Sequence, residues 1–136
     1  MKKIISGLLA GAAMLILGML IGQVFQNLAP SLKAEYENPN LFRPWSDPIM
    51  SLYFFEPFVL GVILAWIWSL TKDIIKGENL TQKGFYFGLI YWATTIPGMI
   101  MSYSSFPLSI TIVLSWSITG IFQSLCAGFI FSKMLK

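Results

Sequence analysis

Four long apolar runs constrain the fold of this chain more than any other feature. They cover about residues 4–27, 49–71, 84–103 and 107–132. Each is about as long as the ~20 residues that a helix needs to cross the hydrocarbon core of a bilayer. Their hydrophobicity is continuous rather than alternating, and an open sheet cannot satisfy its backbone in lipid. The sequence therefore predicts an all-α fold, an integral membrane four-helix transmembrane bundle, with residues 1–136 as one domain.

The charge content agrees with a lipid environment. Only 11% of the residues are charged, whereas a soluble domain usually has about a quarter. Two polar segments interrupt the apolar runs, 28–48 and 72–83, and the joint between the third and fourth runs is very short. That short joint forces the third and fourth helices into a tight antiparallel hairpin. With four crossings in sequence, the bundle is expected to consist of two antiparallel hairpins.

The basic residues predict the orientation. Of nine Lys and Arg residues, two lie in the 28–48 segment and the other seven lie at the opposite ends of the apolar runs. Cytoplasmic loops carry the excess of basic residues. We therefore expect both termini and the 72–83 loop to be cytoplasmic, and the 28–48 loop to lie outside. The basic residues assigned to the cytoplasm are Lys2, Lys3, Lys72, Lys76, Lys83, Lys133 and Lys136.

Several function classes lack the residues they need. The chain has one cysteine, Cys126, and no histidine, so it can form neither an internal disulfide nor a Cys/His metal site. It contains no phosphate-binding loop and no nucleophile-elbow motif. The net charge of +3 does not indicate nucleic-acid binding, because the lysines sit at the ends of apolar runs. No cofactor, no metal and no enzymatic activity are predicted.

Small residues recur on single faces of the predicted helices. Helices in lipid associate by close packing, which small residues permit. Packing within one chain is the simpler interpretation, and a seam with a second copy or with a membrane complex is the alternative. The helix-packing candidates are Gly7, Gly11, Gly18 and Gly22 in the first run, Gly84 and Gly88 in the third, and Gly120, Ser124 and Gly128 in the fourth.

Glu56 is the one charged residue well inside an apolar run. A charge within a membrane is costly and is often functional. By depth alone, an intramembrane polar cluster is expected around it. Three interpretations stay open for Glu56: a structural acid that fixes helix register, a proton- or cation-binding residue of a small transporter, or a side chain that reaches the interface. The other members of the predicted cluster are Gln23, Thr94, Thr95, Thr111 and Ser115.

The chain resembles uncharacterised small bacterial membrane proteins. The likeness rests on the glycine-rich opening MKKIISGLLAGAAMLILG, one polar outer loop, and the closing FSKMLK. The resemblance implies a four-helix integral membrane protein of the bacterial cytoplasmic (inner) membrane. The chain is also similar to the small multidrug transporters in having four helices and one embedded glutamate. In that family, however, the glutamate lies in the first helix, which has none here.

Two functions are therefore expected to compete. The first is a non-enzymatic membrane protein that acts by helix packing, with itself or with a membrane complex. The second is a small proton- or cation-coupled transporter that uses Glu56. In both cases the lipid bilayer is the expected surrounding and nucleic acid is not an expected partner.

Overall fold

The computed structural model describes all 136 residues, which form five α-helices and no strand. The predicted all-α fold is thus confirmed. The helices are α1 (Lys2–Leu28), α2 (Pro30–Tyr36), α3 (Leu52–Thr71), α4 (Leu80–Ser105) and α5 (Ile110–Met134), and a 3₁₀ turn (Pro48–Ser51) leads into α3.

Three of these helical segments are long and apolar enough to cross a membrane. They are Lys2–Leu28, Pro48–Thr71 and Ile110–Met134, with mean hydropathies of 2.5, 1.8 and 1.6. The protein therefore has the character of a membrane protein. The fourth long helix, α4, has 26 residues but is more polar, because it carries Lys83, Gln82, three tyrosines and three threonines.

Capping side chains move two helix starts away from the predicted positions. The Asn79 side chain accepts a hydrogen bond from the Gln82 N–H at 2.9 Å, so α4 begins at Leu80 rather than near residue 84. The Ser109 hydroxyl likewise accepts from the Ile112 N–H at 3.2 Å, so α5 begins at Ile110. Pro107, with which the fourth apolar run begins, lies in the preceding linker instead. Both caps satisfy N–H groups that lack an intrahelical partner.

The helices pack as two antiparallel pairs, α1 with α3 and α4 with α5. The pairs are joined where α1 packs on α5, whereas α3 and α4 scarcely meet. The molecule therefore has one side on which two neighbouring helices are not packed together.

Glycine residues allow the two helices of each pair to approach each other closely. A Cβ on Gly61 would overlap the Gly7 carbonyl oxygen and lie 2.9 Å from the Gly11 nitrogen. A Cβ on Gly128 would overlap the Gly84 carbonyl oxygen and lie 3.3 Å from the Gly88 nitrogen. In each pair, one glycine thus sits between two glycines spaced four residues apart on the partner helix.

This equivalence bears on internal symmetry. Gly61 and Gly128 begin two stretches of similar composition, GVILAWIWSLTK and GFIFSKMLK. On sequence alone, chance explains this likeness more readily than a duplicated hairpin does. In the structure, both hairpins cross at corresponding positions, where one glycine packs between two glycines of the partner helix.

The main core lies toward the end of the bundle that holds the two termini. Trp68 is fully buried there, and its ring meets Phe87 edge-on with centroids 5.5 Å apart. Its Nε1 donates to the Leu135 carbonyl oxygen at 3.2 Å, which ties the end of α3 to the end of α5. Met14 and Phe131 complete the contact between the two helix pairs.

A second, smaller core lies at the opposite end, beneath α2. Leu32 is buried against Leu108 and Ile112. The Ser109 N–H and hydroxyl donate to the two carboxylate oxygens of Glu35 at 2.7 and 2.6 Å. The helix α2 is therefore fastened across the start of α5.

Candidate functional site

Glu56 lies in the second turn of α3 and is exposed. No hydrogen bond or ion pair joins its carboxylate to any other residue of the chain, and only two ion pairs form in the structure, both within residues 28–48. The following residue, Pro57, is buried, with its carbonyl oxygen 2.6 Å from a Cβ built on Gly11. The backbone of α3 is thus held against α1 at this depth while the glutamate points away from that contact.

The helical period shows which way Glu56 points. Residues 56, 60, 63 and 67 follow spacings of four and three, so they share one face of α3. Ile67 of this face lines a cleft of about 810 Å³ between the ends of α3 and α4. Glu56 therefore lies on the α4 side of α3, toward the gap between the two helices.

The matching face of α4 is also uncovered. Tyr86 and Ile90 line the same cleft, and both are exposed at 45% and 56%. One and two turns further along this face come Thr94 and Pro97, which are exposed as well. We call the two faces together the open flank: Glu56, Ile63 and Ile67 on α3, with Tyr86, Ile90, Thr94 and Pro97 on α4.

Polar groups lie in the half of the open flank near Glu56. Pro97 has no N–H, so the carbonyl of Ala93, one turn earlier, lacks its helical donor. Thr94 adds a hydroxyl on the same face. The flank thus combines an apolar half, formed by Ile67, Tyr86 and Ile90, with a half that carries a carboxylate, a hydroxyl and a carbonyl without its usual helical donor.

The predicted polar cluster is not gathered into one network. The Thr94, Thr95 and Ser115 hydroxyls each donate to a carbonyl three residues back in their own helix, at 2.6, 2.7 and 2.7 Å. The Gln23 amide donates to the Asn27 side chain at 3.2 Å, and Thr111 is exposed. Residues at the same depth in the bundle therefore need not point in the same direction. Ser115 is buried, whereas Glu56 and Thr111 are exposed.

Most of the predicted helix-packing residues are used inside the chain. Gly7 and Gly11 meet the backbone of α3, and Gly84 and Gly88 meet that of α5 at Gly128 and Ser124. These residues line the two crossings, which agrees with the simpler interpretation of packing within one chain. They are not free to contact a second protein.

The remaining three glycines behave differently. Gly18 lies under the Gln123 side chain, whose Nε2 donates to the Met14 carbonyl oxygen at 2.7 Å. Gly120 has ordinary contact with Trp92, with 3.7 Å between a built Cβ and Cδ1. Gly22 has open space around it. None of the three meets the backbone of another helix.

Two ionisable groups of the 28–48 segment have shifted pKa values. Burial raises the pKa of Tyr36, although its hydroxyl accepts a hydrogen bond from the Trp116 Nε1 at 2.7 Å. The Ile49 N–H, followed by the Arg43 guanidinium at 2.9 Å, lowers the pKa of Asp47. Both groups have a local structural explanation, and neither adds to the open flank.

The open flank has no motif that sequence reasoning could have found. The α3 and α4 faces lie on the same side of the molecule because α1 packs on α5. That packing leaves α3 and α4 side by side without close contact. No protein family matches the chain, and no curated protein or solved structure matches it either.

Proposed function

We propose that this is a non-enzymatic membrane protein that acts by helix packing, and that it binds a transmembrane partner along the open flank. The partner is a second copy of the chain or a helix of a membrane complex. Glu56 carries the proposal, because it is a carboxylate without a partner on an otherwise apolar helix face. A charged group facing lipid costs several kcal/mol. A partner helix that donates hydrogen bonds to Glu56 would remove that cost.

The proposal includes a four-helix crossing with both termini in the cytoplasm. Two observations support it. The helix α4 is as long as the three clearly apolar helices, and its crossing with α5 repeats that of α1 with α3. Five of the seven lysines expected on the cytoplasmic side surround one cleft at one end of the bundle.

Single-cysteine labelling tests the orientation. In a Cys126→Ala background, Asn40→Cys is expected to react with a membrane-impermeant maleimide in intact cells, because it is exposed in the 28–48 segment. Glu78→Cys, exposed in the loop before α4, is expected to react only after the membrane is permeabilised. The reverse pattern would invert the topology, and reaction of both residues from outside would mean that α3 does not cross.

The Glu56→Leu variant tests the partner. We expect the dissociation constant of the complex in mild detergent to rise about 5- to 30-fold, since interhelical hydrogen bonds in membranes contribute about 1–2 kcal/mol. Light scattering of the purified protein and quantitative co-purification from membranes measure the loss. Phe55→Leu is the matched control, because Phe55 is the adjacent exposed residue and points about 100° away.

Each remaining outcome decides between hypotheses. If both variants form the complex as the unmodified chain does, the flank does not bind a partner. If Glu56→Gln leaves assembly unchanged but abolishes proton- or cation-linked uptake in vesicles, the transporter hypothesis replaces this one. A single-chain particle in mild detergent for the unmodified protein also contradicts partner binding.

A further inference from the structure

A lysine-lined cleft lies at the end of the bundle where both termini meet. Its volume is about 420 Å³, and it is formed by the start of α1, the end of α3 and the end of α5. Five lysines line it, together with Ser69, and no Asp or Glu side chain does. The five are Lys2, Lys3, Lys72, Lys133 and Lys136.

Two of these lysines are held in place by other groups. The Lys72 ammonium donates to the Leu135 carbonyl oxygen at 3.3 Å, beside the hydrogen bond from Trp68 to the same oxygen. The Lys133 ammonium donates to the Thr81 hydroxyl at 3.0 Å and lies 5.2 Å from the centroid of the Phe129 ring. Their positive charges are thus fixed at the wall of the cleft without being neutralised.

The other three have no partner in the chain. The side chains of Lys2, Lys3 and Lys136 form no hydrogen bond and no ion pair. Their ammonium groups nevertheless line one cleft, where like charges repel one another. The two ion pairs of the chain, Lys33 with Glu37 and Arg43 with Asp47, both lie in the 28–48 segment. The Asp and Glu side chains of the protein therefore leave the lysines of this cleft uncompensated.

The geometry points to a binding site for the phosphate headgroup of an anionic phospholipid. Basic pockets between the ends of membrane helices attract such headgroups electrostatically. Water occupies about 30 Å³ per molecule in the liquid, so the cleft has room for a phosphoglycerol group rather than a lone ion. The apolar side chains of Met134 and Leu135 also line it and offer a surface to the lipid beyond its headgroup. This inference does not depend on the transmembrane partner proposed above.

Native mass spectrometry of the purified protein tests the site, with phosphatidylglycerol and phosphatidylcholine added in equal amounts. We expect phosphatidylglycerol to be retained in preference to phosphatidylcholine. Lys3→Gln should weaken that retention about fivefold, and Lys3→Gln with Lys136→Gln about 25-fold, as expected for the loss of one and two lysines near the headgroup. Far-UV circular dichroism confirms that each variant remains helical.

Lys76→Gln is the matched control, because it removes the same charge from the neighbouring loop without touching the lysine-lined cleft. It should retain phosphatidylglycerol within twofold of the unmodified protein. Equal retention of both lipids overturns the proposal, and so does equal weakening by Lys3→Gln and Lys76→Gln, which would indicate general surface charge. Full displacement by millimolar inorganic phosphate would identify a free-anion site and also overturn it.

Discussion

Replacing Gly128 by valine is expected to separate α4 from α5 and to lower the free energy of unfolding by about 3 kcal/mol, at the upper end of the usual cost of overpacking. The reason is the nature of the neighbouring atoms. The first side-chain carbon would overlap the carbonyl oxygen of Gly84 and press on the backbone of Gly88. A flexible side chain can move away from such an overlap, whereas a helix backbone moves only if the whole helix shifts.

Unfolding in mixed micelles of mild detergent and dodecyl sulfate, followed by circular dichroism, measures this loss. Gly22→Val and Gly98→Val are the controls, because a Cβ at either position meets no atom within 4 Å. Both controls should stay close to the unmodified protein. A Gly128→Val protein as stable as these controls would show that the backbones of α4 and α5 are not in contact at Gly128. Gly61→Val should match Gly128→Val if the two hairpins are equivalent.

The positions of the long helices were largely predictable, because they depend on chain-local properties. Continuous hydrophobicity over about 20 residues is visible without a structure, and so is the four-residue glycine spacing of Gly7 with Gly11 and Gly84 with Gly88. The starts of α4 and α5 were predicted less well, since they are determined by single capping bonds of Asn79 and Ser109. A cap is one hydrogen bond, and apolar periodicity carries no information about it.

Direction around a helix was the property that sequence alone could not provide. Similar predicted depth places Glu56 and Ser115 in one cluster, but the rotation of each helix depends on which neighbours it contacts. The glycines of α1 and α3 turn Pro57 inward and thereby turn Glu56 toward α4. The open flank follows from the same packing, since α1 contacts α5 whereas α3 and α4 remain apart.

Trp66 and Trp68 show the same limit. Their position near the end of an apolar run is typical of residues at the membrane interface. In the structure only Trp66 is exposed, at 57%, whereas Trp68 is fully buried. A separation of two residues corresponds to about 200° around a helix, so Trp66 and Trp68 point to opposite faces of α3.

Replacing Trp68 by alanine is expected to lower the free energy of unfolding by about 3 kcal/mol, within the range for truncating a buried aromatic residue. The change removes the edge-on contact with Phe87 and leaves the Leu135 carbonyl with only the Lys72 ammonium as donor. The same micelle titration measures the loss. Trp66→Ala is the matched control and should cost less than about 0.5 kcal/mol, as most exposed substitutions do.

Trp68→Phe separates the contribution of the aromatic ring from that of the hydrogen bond, because it keeps an aromatic ring but removes the donor. About 1 kcal/mol is expected for that hydrogen bond. Equal losses for Trp66→Ala and Trp68→Ala would contradict the burial of the Trp68 side chain against Phe87 and Leu135, because that burial alone distinguishes the two residues.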